Sequence, residues 1–494
     1  MSAKVIVSID QSTVATKGLV WSLDGRLLGR ADISHRQITN EKGWVEHDPL
    51  EILRNCATAV KYALQKAGAE AKDVAVIGIS NQRETAVCWD RATGMPLYNA
   101  IVWQCARAAD ITQKIEESGL STEVRKRTGL TLSPFFSAAK YAWIIKHIPE
   151  AALAKERGEL CCGTIDSWLV FCLTKEFKTD YSNASRTQLL NLDKCAWDAE
   201  LSEIFGLDTS CLPEICMSDS LFGLTDLDGL LPKPVAVHGT MGDSHAALFA
   251  NRCWMPFSAK ATYGTGSSVM MNVGENRPIP GDGVSAGIAW GMGDKIVYAL
   301  EGNINYSGAV IKWLEEDIEL LPDAKSAGSI SKTIPDTGGV YLVPAFSGLG
   351  APYFDNEARA AFVGMNRTTK KAHLVRAAEE CIAYQVCDVV EAIDLSIGQP
   401  LSSLCADGGP TRDGFLMQFQ ADMLGVQIEI NQTEELSGMG AAFCAAVGAG
   451  LVAPDDIFSH QGQNTITPAM DKSTRNLLYA GWKQAVKMLC KNIL

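Results

Sequence analysis

The chain opens on a β-branched run, Val5-Ile-Val-Ser-Ile9, that ends on a single carboxylate, Asp10. It turns through Gln11-Ser-Thr-Val-Ala-Thr16 into a second apolar run, Gly18-Leu-Val-Trp21, and Asp24-Gly25 supplies another hairpin turn. A strand, a polar turn and a returning strand aim backbone N–H groups and hydroxyls at one point, which suits an anion. The plan recurs loosely later: Ala259-Lys-Ala-Thr-Tyr263 enters the turn Gly264-Thr-Gly266 and leaves through Val269-Met-Met-Asn-Val273. Helical periodicity over 50–67, 137–147 and 151–157 accompanies the first copy, with a buried strand at Val74-Ala-Val-Ile-Gly-Ile79. A strand at Val340-Tyr-Leu-Val343, a helix over 372–395, a strand running into Asp407-Gly-Gly409 and a helix from Gly414 accompany the second. Strands alternating with helices, twice over, predict an α/β protein of two similar halves. A length of 494 residues agrees, since cores divide into domains beyond about 250–300 residues. We place the halves at 1–247 and 248–494. No Pro/Gly/Ser-rich linker marks the junction, so a close hinge is expected rather than a tether.

Charge narrows the partners. A net charge of −13 without any Lys/Arg run gives no face for nucleic acid. Cations needed for a phosphate must therefore be placed locally, as side chains or Mg²⁺. No run of about 18 apolar residues predicts a membrane span. The stretch Met1 to Asp10 lacks the basic-then-apolar pattern of a signal peptide. The 15 cysteines contain no Cys-x-x-Cys pair, which fits neither a zinc site nor a secreted disulfide framework. Buried thiols in a reducing compartment, and so a cytoplasmic protein, are expected.

Four segments carry chemistry. Asp10-Gln-Ser-Thr-Val-Ala-Thr-Lys17 offers a carboxylate at a strand end, hydroxyls in the turn and a following cation, which suits Mg²⁺ and phosphate. By itself it also reads as a hairpin with a surface lysine. Asn81-Gln-Arg-Glu-Thr85 follows a buried strand, the usual ligand edge of α/β folds. Adjacent Arg83 and Glu84 can donate to and accept from neighbouring hydroxyls, while the Trp103 face covers the C–H side of a polyol. A surface ion pair beside a core tryptophan would look the same. In Thr240-Met-Gly-Asp-Ser-His245 the glycine lets a ligand approach Asp243, although an aspartate there also fits a helix cap. His245 reads as structural. Gly264-Thr-Gly-Ser267 and Asp407-Gly-Gly409 each follow an apolar strand, where glycines admit a phosphate or a flat base.

In order along the chain, these segments resemble the FGGY carbohydrate kinases, and among them the glycerol kinases. Gly43-Trp-Val-Glu-His-Asp-Pro49, Tyr98-Asn-Ala-Ile-Val-Trp-Gln-Cys105, Asn183-Ala-Ser-Arg-Thr187 and Phe415-Leu-Met-Gln-Phe-Gln420 extend the resemblance over nearly the whole length. So do Phe135-Phe-Ser-Ala-Ala-Lys140 and Val343-Pro-Ala-Phe-Ser-Gly-Leu-Gly-Ala-Pro-Tyr353. The resemblance implies two actin-like (ribonuclease H-like) ATPase domains with a cleft between them. It implies ATP and Mg²⁺, a small polyol or sugar substrate, and a homodimer or homotetramer. By position, Asp243 would be the catalytic base and, with Asp10, would lie at the Mg²⁺. Ser12, Thr13, Lys17 and Thr265 would meet the phosphates. Gly308, Lys312, Gly409 and Asp413 would line the nucleotide site. Arg83, Glu84 and Trp103 would hold the polyol, with Phe135, Ser244 and Ser268 beside it.

Three of these positions depart from glycerol kinases, which carry Tyr at Phe135, Gln at Ser244 and Phe at Ser268. The losses at Ser244 and Ser268 predict a wider pocket. A four-carbon polyol such as erythritol or threitol, or a small ketose such as xylulose, is then an alternative to glycerol. The Arg83-Glu84 pair is the glycerol-kinase version and argues against the ketose. A nucleotide-dependent sensor without phosphoryl transfer is the rival from another class. Such a binder would have no need of Asp243.

Overall fold

A computed structural model describes residues 4–431, 433, 435–453 and 463–490. In the first half, β1 (Val5–Gln11), β2 (Ala15–Ser22) and β3 (Leu27–Ser34) form an antiparallel meander. Then come α1 (Pro49–Ala67), β4 (Val74–Asn81), α2 (Ser137–His147), α3 (Ile165–Thr174), β5 (Leu221–Thr225), β6 (Val235–Gly242) and α4 (Asp243–Ala250). The sheet runs β5-β6-β4-β1-β2-β3, with β1, β4 and β6 parallel. Local rules are visible in α1: Asp48 accepts from the Leu50 N–H at 2.9 Å, Pro49 opens the helix, and Gly68 ends it at φ 64°. The buried residues Ile52, Cys56, Val60 and Leu64 of α1 belong to the core cluster beneath the sheet.

The second half repeats the plan. It contains β7 (Ser258–Tyr263), β8 (Ser267–Gly274), β9 (Ser285–Met292), β10 (Lys295–Ile304) and α5 (Gly308–Glu316). It continues with α6 (Lys371–Ile397), β11 (Ser403–Asp407), α7 (Gly414–Leu424), β12 (Ile428–Asn431), α8 (Leu436–Gly448) and β13 (Gln463–Ile466). Its sheet runs β9-β10-β8-β7-β11-β12-β13, with β7, β11 and β12 parallel. The expected junction at residue 247 falls inside α4, and the second sheet begins at Ser258.

The halves interlock rather than merely adjoin. Helix α8, late in the chain, packs on β1, β4, β6 and α4 of the first half. Small residues allow that approach: a Cβ on Gly78 would lie 2.2 Å from the Ala441 carbonyl oxygen, and one on Gly440 would lie 2.0 Å from that of Ala246. One buried cluster spans both halves, joining Ile6, Trp21 and Phe249 to Met439 and Phe443. All the cysteines are free thiols and most are buried. Among the described residues, no helix is long and apolar enough to cross a membrane.

Candidate active site

Parallel pairing brings the first half's functional positions to one sheet edge. Asp10 stands opposite Lys17 on β2 and Ser80 on β4, while Gly242 stands opposite Asn81. Asp243 therefore emerges beside Asp10 and the Asn81–Thr85 segment, outside the carboxyl ends of the strands. In the second half, Thr262 is in register with Ser268 on β8 and Asp407 on β11. The two edges face each other across a cleft.

Two cavities meet in that cleft at Asp243, Ser244 and Thr262. The larger, about 780 Å³, is lined by Asp10, Lys17, Lys260, Asp407, Gly408 and Gly409, among others. Gly408 turns there at φ 99°, with room beside it for nothing larger than hydrogen, since a Cβ would meet the Tyr263 carbonyl at 2.0 Å. The other, about 610 Å³, is lined by Thr13, Arg83, Glu84, Trp103, Phe135, Thr265 and Ser268. Trp103 Nε1 donates to Thr13 Oγ1 at 3.0 Å, and Trp103 meets Phe135 edge to face.

A buried ionic network holds Asp243. Arg83 makes a two-pronged contact with Glu301, Nη1 to Oε2 at 3.0 Å and Nη2 to Oε1 at 2.8 Å. Its Nε lies 3.3 Å from Asp243 Oδ1. Arg186 joins Glu84, 2.6 Å away, to Glu301, 3.0 Å away. Burial opposes the charge on Arg83, but Glu301 and Glu84 outweigh it and hold the guanidinium firmly charged. Glu301 is buried too, yet Arg83 and Arg186 keep it ionised. Glu84 sits at φ 60°, a left-handed conformation costing about 1–3 kcal/mol for a non-glycine residue. The Arg186 contact and the Ser137 hydroxyl donating to the Glu84 carbonyl at 3.1 Å fix it there.

Asp243 itself is pushed up to about 6, first by burial and then by Glu84 and Asp10, with Arg83 and the Ser244 N–H pulling the other way. Protein surrounds this carboxyl, but 36% of its side chain meets cleft solvent, which tempers the shift. The Ser244 N–H donates to Asp243 Oδ1 at 2.6 Å, so the carboxyl does touch the start of its own helix. Asp10 accepts from the Ser80 hydroxyl and lies 3.4 Å from Lys17 Nζ. Lys17 also pairs with Glu435 at 2.7 Å, a tie from one half to the other. Burial disfavours the Lys17 charge, but Asp10 and Glu435 prevail and raise it.

The remaining expected residues divide. Gly308, Gly409 and Asp413 line a third cavity behind the Asp407-Gly-Gly409 turn. Ser12 lies in the hairpin turn with its hydroxyl donated to the Ala15 carbonyl at 2.9 Å. Lys312 points away: it is exposed and paired with Glu316 at 3.3 Å, about 100° around α5 from the inward-facing Ile311. His245 is buried and kept neutral by burial and by Arg83, with its Nδ1 unpartnered. Four residues were not anticipated: Arg186, Glu301, Lys260 and Lys140. Lys260 is buried, donates to Thr262 Oγ1 at 2.8 Å and faces the larger cavity. Lys140 is buried, and burial lowers it to about 7. It donates to the carbonyls of Pro134 at 2.8 Å, Phe136 at 3.2 Å and Phe135, fixing the loop that presents the Phe135 ring. A lysine five residues after Phe135, within the small and apolar start of α2, was the available signal.

A cleft with two neighbouring glycine turns, two lysines and a carboxylate of raised basicity has the chemistry that group transfer from a phosphorylated donor needs. Residues 5–250 and 259–449 match the N- and C-terminal domain models of the FGGY family of carbohydrate kinases, and the chain belongs to that family. It is a kinase that phosphorylates an alcohol. It is 43% identical to the glycerol kinase of Carboxydothermus hydrogenoformans over 98% of each chain. It is 41% identical to glycerol kinase 1 of Thermotoga maritima, over 98% of this chain and 99% of that one. The crystal structure of Plasmodium falciparum glycerol kinase with ADP superposes with a TM-score of 0.94, at 34% identity and 99% coverage of both chains.

Proposed function

We propose that this kinase transfers the γ-phosphoryl group of ATP to a hydroxyl of a small polyol, glycerol first, with Asp243 as the base. One observation carries the reading: Asp243 forms the shared wall between a cavity edged by Lys17, Lys260 and the Gly408-Gly409 turn and a cavity edged by Arg83, Glu84 and Trp103. The first suits a polyphosphate and the second a polyol. The identity to glycerol kinases over the whole chain supports the same assignment.

The roles follow from the geometry. Arg83 orients the Asp243 carboxylate, and Glu84 with Arg83 offers acceptors and donors to neighbouring hydroxyls. Trp103 covers the carbon side of the substrate. Asp243 accepts the hydroxyl proton late in transfer, help worth roughly 10²–10⁴-fold. Lys17 and Lys260 offset phosphate charge, and the turns around Thr13, Thr265 and Gly409 let backbone approach the oxygens. Among the described residues, no three His, Cys, Asp or Glu side chains gather into a cage for an ion. Mg²⁺ fits the site all the same, because it is usually held by one or two carboxylates together with substrate phosphates. Asp10 and Asp243 would hold it, and once bound it would neutralise charge on the phosphate oxygens. The free buried thiols favour a cytoplasmic setting.

Ser244 and Ser268 both line the polyol cavity, and their small side chains favour a four-carbon polyol as the second substrate. The test is ADP release with ATP and a panel of glycerol, erythritol, threitol, xylitol, erythrulose and xylulose. Glycerol or a tetritol should give the highest kcat/KM. Release that no member of the panel stimulates would sink the proposal.

A further inference from the structure

The third cavity, about 280 Å³, lies between α5, α6 and the start of α7. It shares Gly409 and Arg412 with the phosphate cavity, so the two communicate around the Asp407-Gly-Gly409 turn. Ile311, Ile382, Pro410 and Leu416 give it apolar walls, the shape and chemistry for a flat aromatic ring. Lys325 and Arg412 stand exposed at its mouth. Asp413 is committed elsewhere: it accepts from Phe415 N–H at 2.7 Å, Leu416 N–H at 3.2 Å and Gly328 N–H at 3.0 Å.

One buried charged-type side chain remains. Glu379 is 2% exposed, one helical turn from Ile382 on α6, and lines the cavity. Its Oε2 is buried with no hydrogen-bond partner. Leaving such a group unsatisfied is unfavourable, so a partner supplied by a ligand is a natural explanation. Burial, reinforced by the nearby Asp413 charge, pushes the carboxyl far above its ordinary range. Such surroundings favour the neutral acid, which has one O–H donor beside one C=O acceptor.

We propose that Glu379 reads the nucleobase: its C=O accepts from the 6-amino group of adenine while its O–H donates to the adjacent ring nitrogen. The inference rests on the ATP assignment above and adds to it a residue that sets base preference. The carboxyl shares the cavity lining with Ile311, Ile382, Pro410 and Leu416, so a flat purine seated among them would bring its polar edge toward it. The pairing is a matched donor and acceptor, the kind of contact that rejects an analogue lacking one partner.

The test is calorimetric binding of ADP and of purine riboside diphosphate, which lacks the 6-amino group, to wild type, Glu379→Gln and Glu379→Leu. No polyol is needed, so an error about the alcohol would not confuse it. Wild type should prefer ADP by about tenfold, the scale of one or two neutral hydrogen bonds. Glu379→Leu should bring the two ligands within about twofold by weakening ADP more than the analogue, which has only the ring-nitrogen contact to lose. Glu379→Gln should keep the preference, because an amide offers the same acceptor and donor. Melting curves would show that both variants are folded. An unchanged preference in Glu379→Leu, or equal weakening of both ligands, would overturn the inference. Failure of wild type to bind either nucleotide is a different result: it would overturn the ATP reading and this inference with it.

Discussion

Arg83, Glu84, Arg186 and Glu301 are buried around Asp243, whose carboxyl is made more basic first by burial, with Arg83 opposing and Glu84 adding to the effect. A base held at about 6 is ionised at neutral pH yet more basic than an ordinary aspartate. Its active form is the carboxylate, so kcat/KM should fall as pH drops through about 6 and level off above 7. A pH–rate profile that stays flat from about pH 5 to about pH 8 would contradict that placement. Glu301 holds the network together from beneath. Glu301→Leu strands two buried guanidinium groups and should lower stability by about 3–5 kcal/mol in urea unfolding. Sequence made half of this site legible. Arg83, Glu84 and Trp103 sit in segments that follow buried strands, where ligand residues are expected. Glu301 sits within an apolar strand, Tyr298-Ala-Leu-Glu-Gly302, and its partner Arg83 is 218 positions away, so no local pattern announces the pair. Arg186 was visible within Asn183–Thr187, but its contact with Glu84 depends on the fold.

At the level of elements, the strand–turn–strand units were readable because β-branched runs and glycine turns are local signals. The course of α8 was not. Its sequence, Leu436-Ser-Gly-Met-Gly-Ala-Ala442, reads as a small-residue apolar helix without indicating which sheet it covers. It crosses to the first half, and Gly440 makes that crossing close. Gly440→Ala would place a methyl 2.0 Å from the Ala246 carbonyl oxygen and should cost about 1–3 kcal/mol, measurable as a lower melting temperature. Activity should suffer as well, because α8 begins beside the Glu435–Lys17 tie and Ser437 donates to the Asp243 carbonyl at 3.0 Å. Strand β8 carries a substrate prediction. Ser268→Phe should fill the polyol cavity and reduce turnover of a four-carbon polyol by about tenfold or more relative to glycerol. Equal losses for both substrates would show that Ser268 does not set chain length. The placement of Lys312 illustrates the limit of position alone: it falls next to the inward-facing Ile311, and helical rotation carries it out to solvent.

Across the whole molecule, the repeated strand plan predicted two similar halves, and both sheets contain two antiparallel, two parallel and one antiparallel pairing in that order, to which the second sheet adds β9 at its edge. What composition and periodicity left open was how the halves meet, because interfacial contacts join residues hundreds of positions apart. Their meeting places two cavities on either side of one carboxylate, which we assign to phosphate and polyol. Closure of such a cleft would keep water from competing as acceptor. ATP hydrolysis without polyol should therefore be far slower than ADP release with it. The most direct measurement is polyol-dependent ADP release by wild type and Asp243→Asn at saturating ATP, alongside nucleotide binding to both. A fall in kcat of roughly 10²–10⁴-fold with nucleotide affinity retained is the predicted result. Turnover by Asp243→Asn equal to that of wild type would contradict the account.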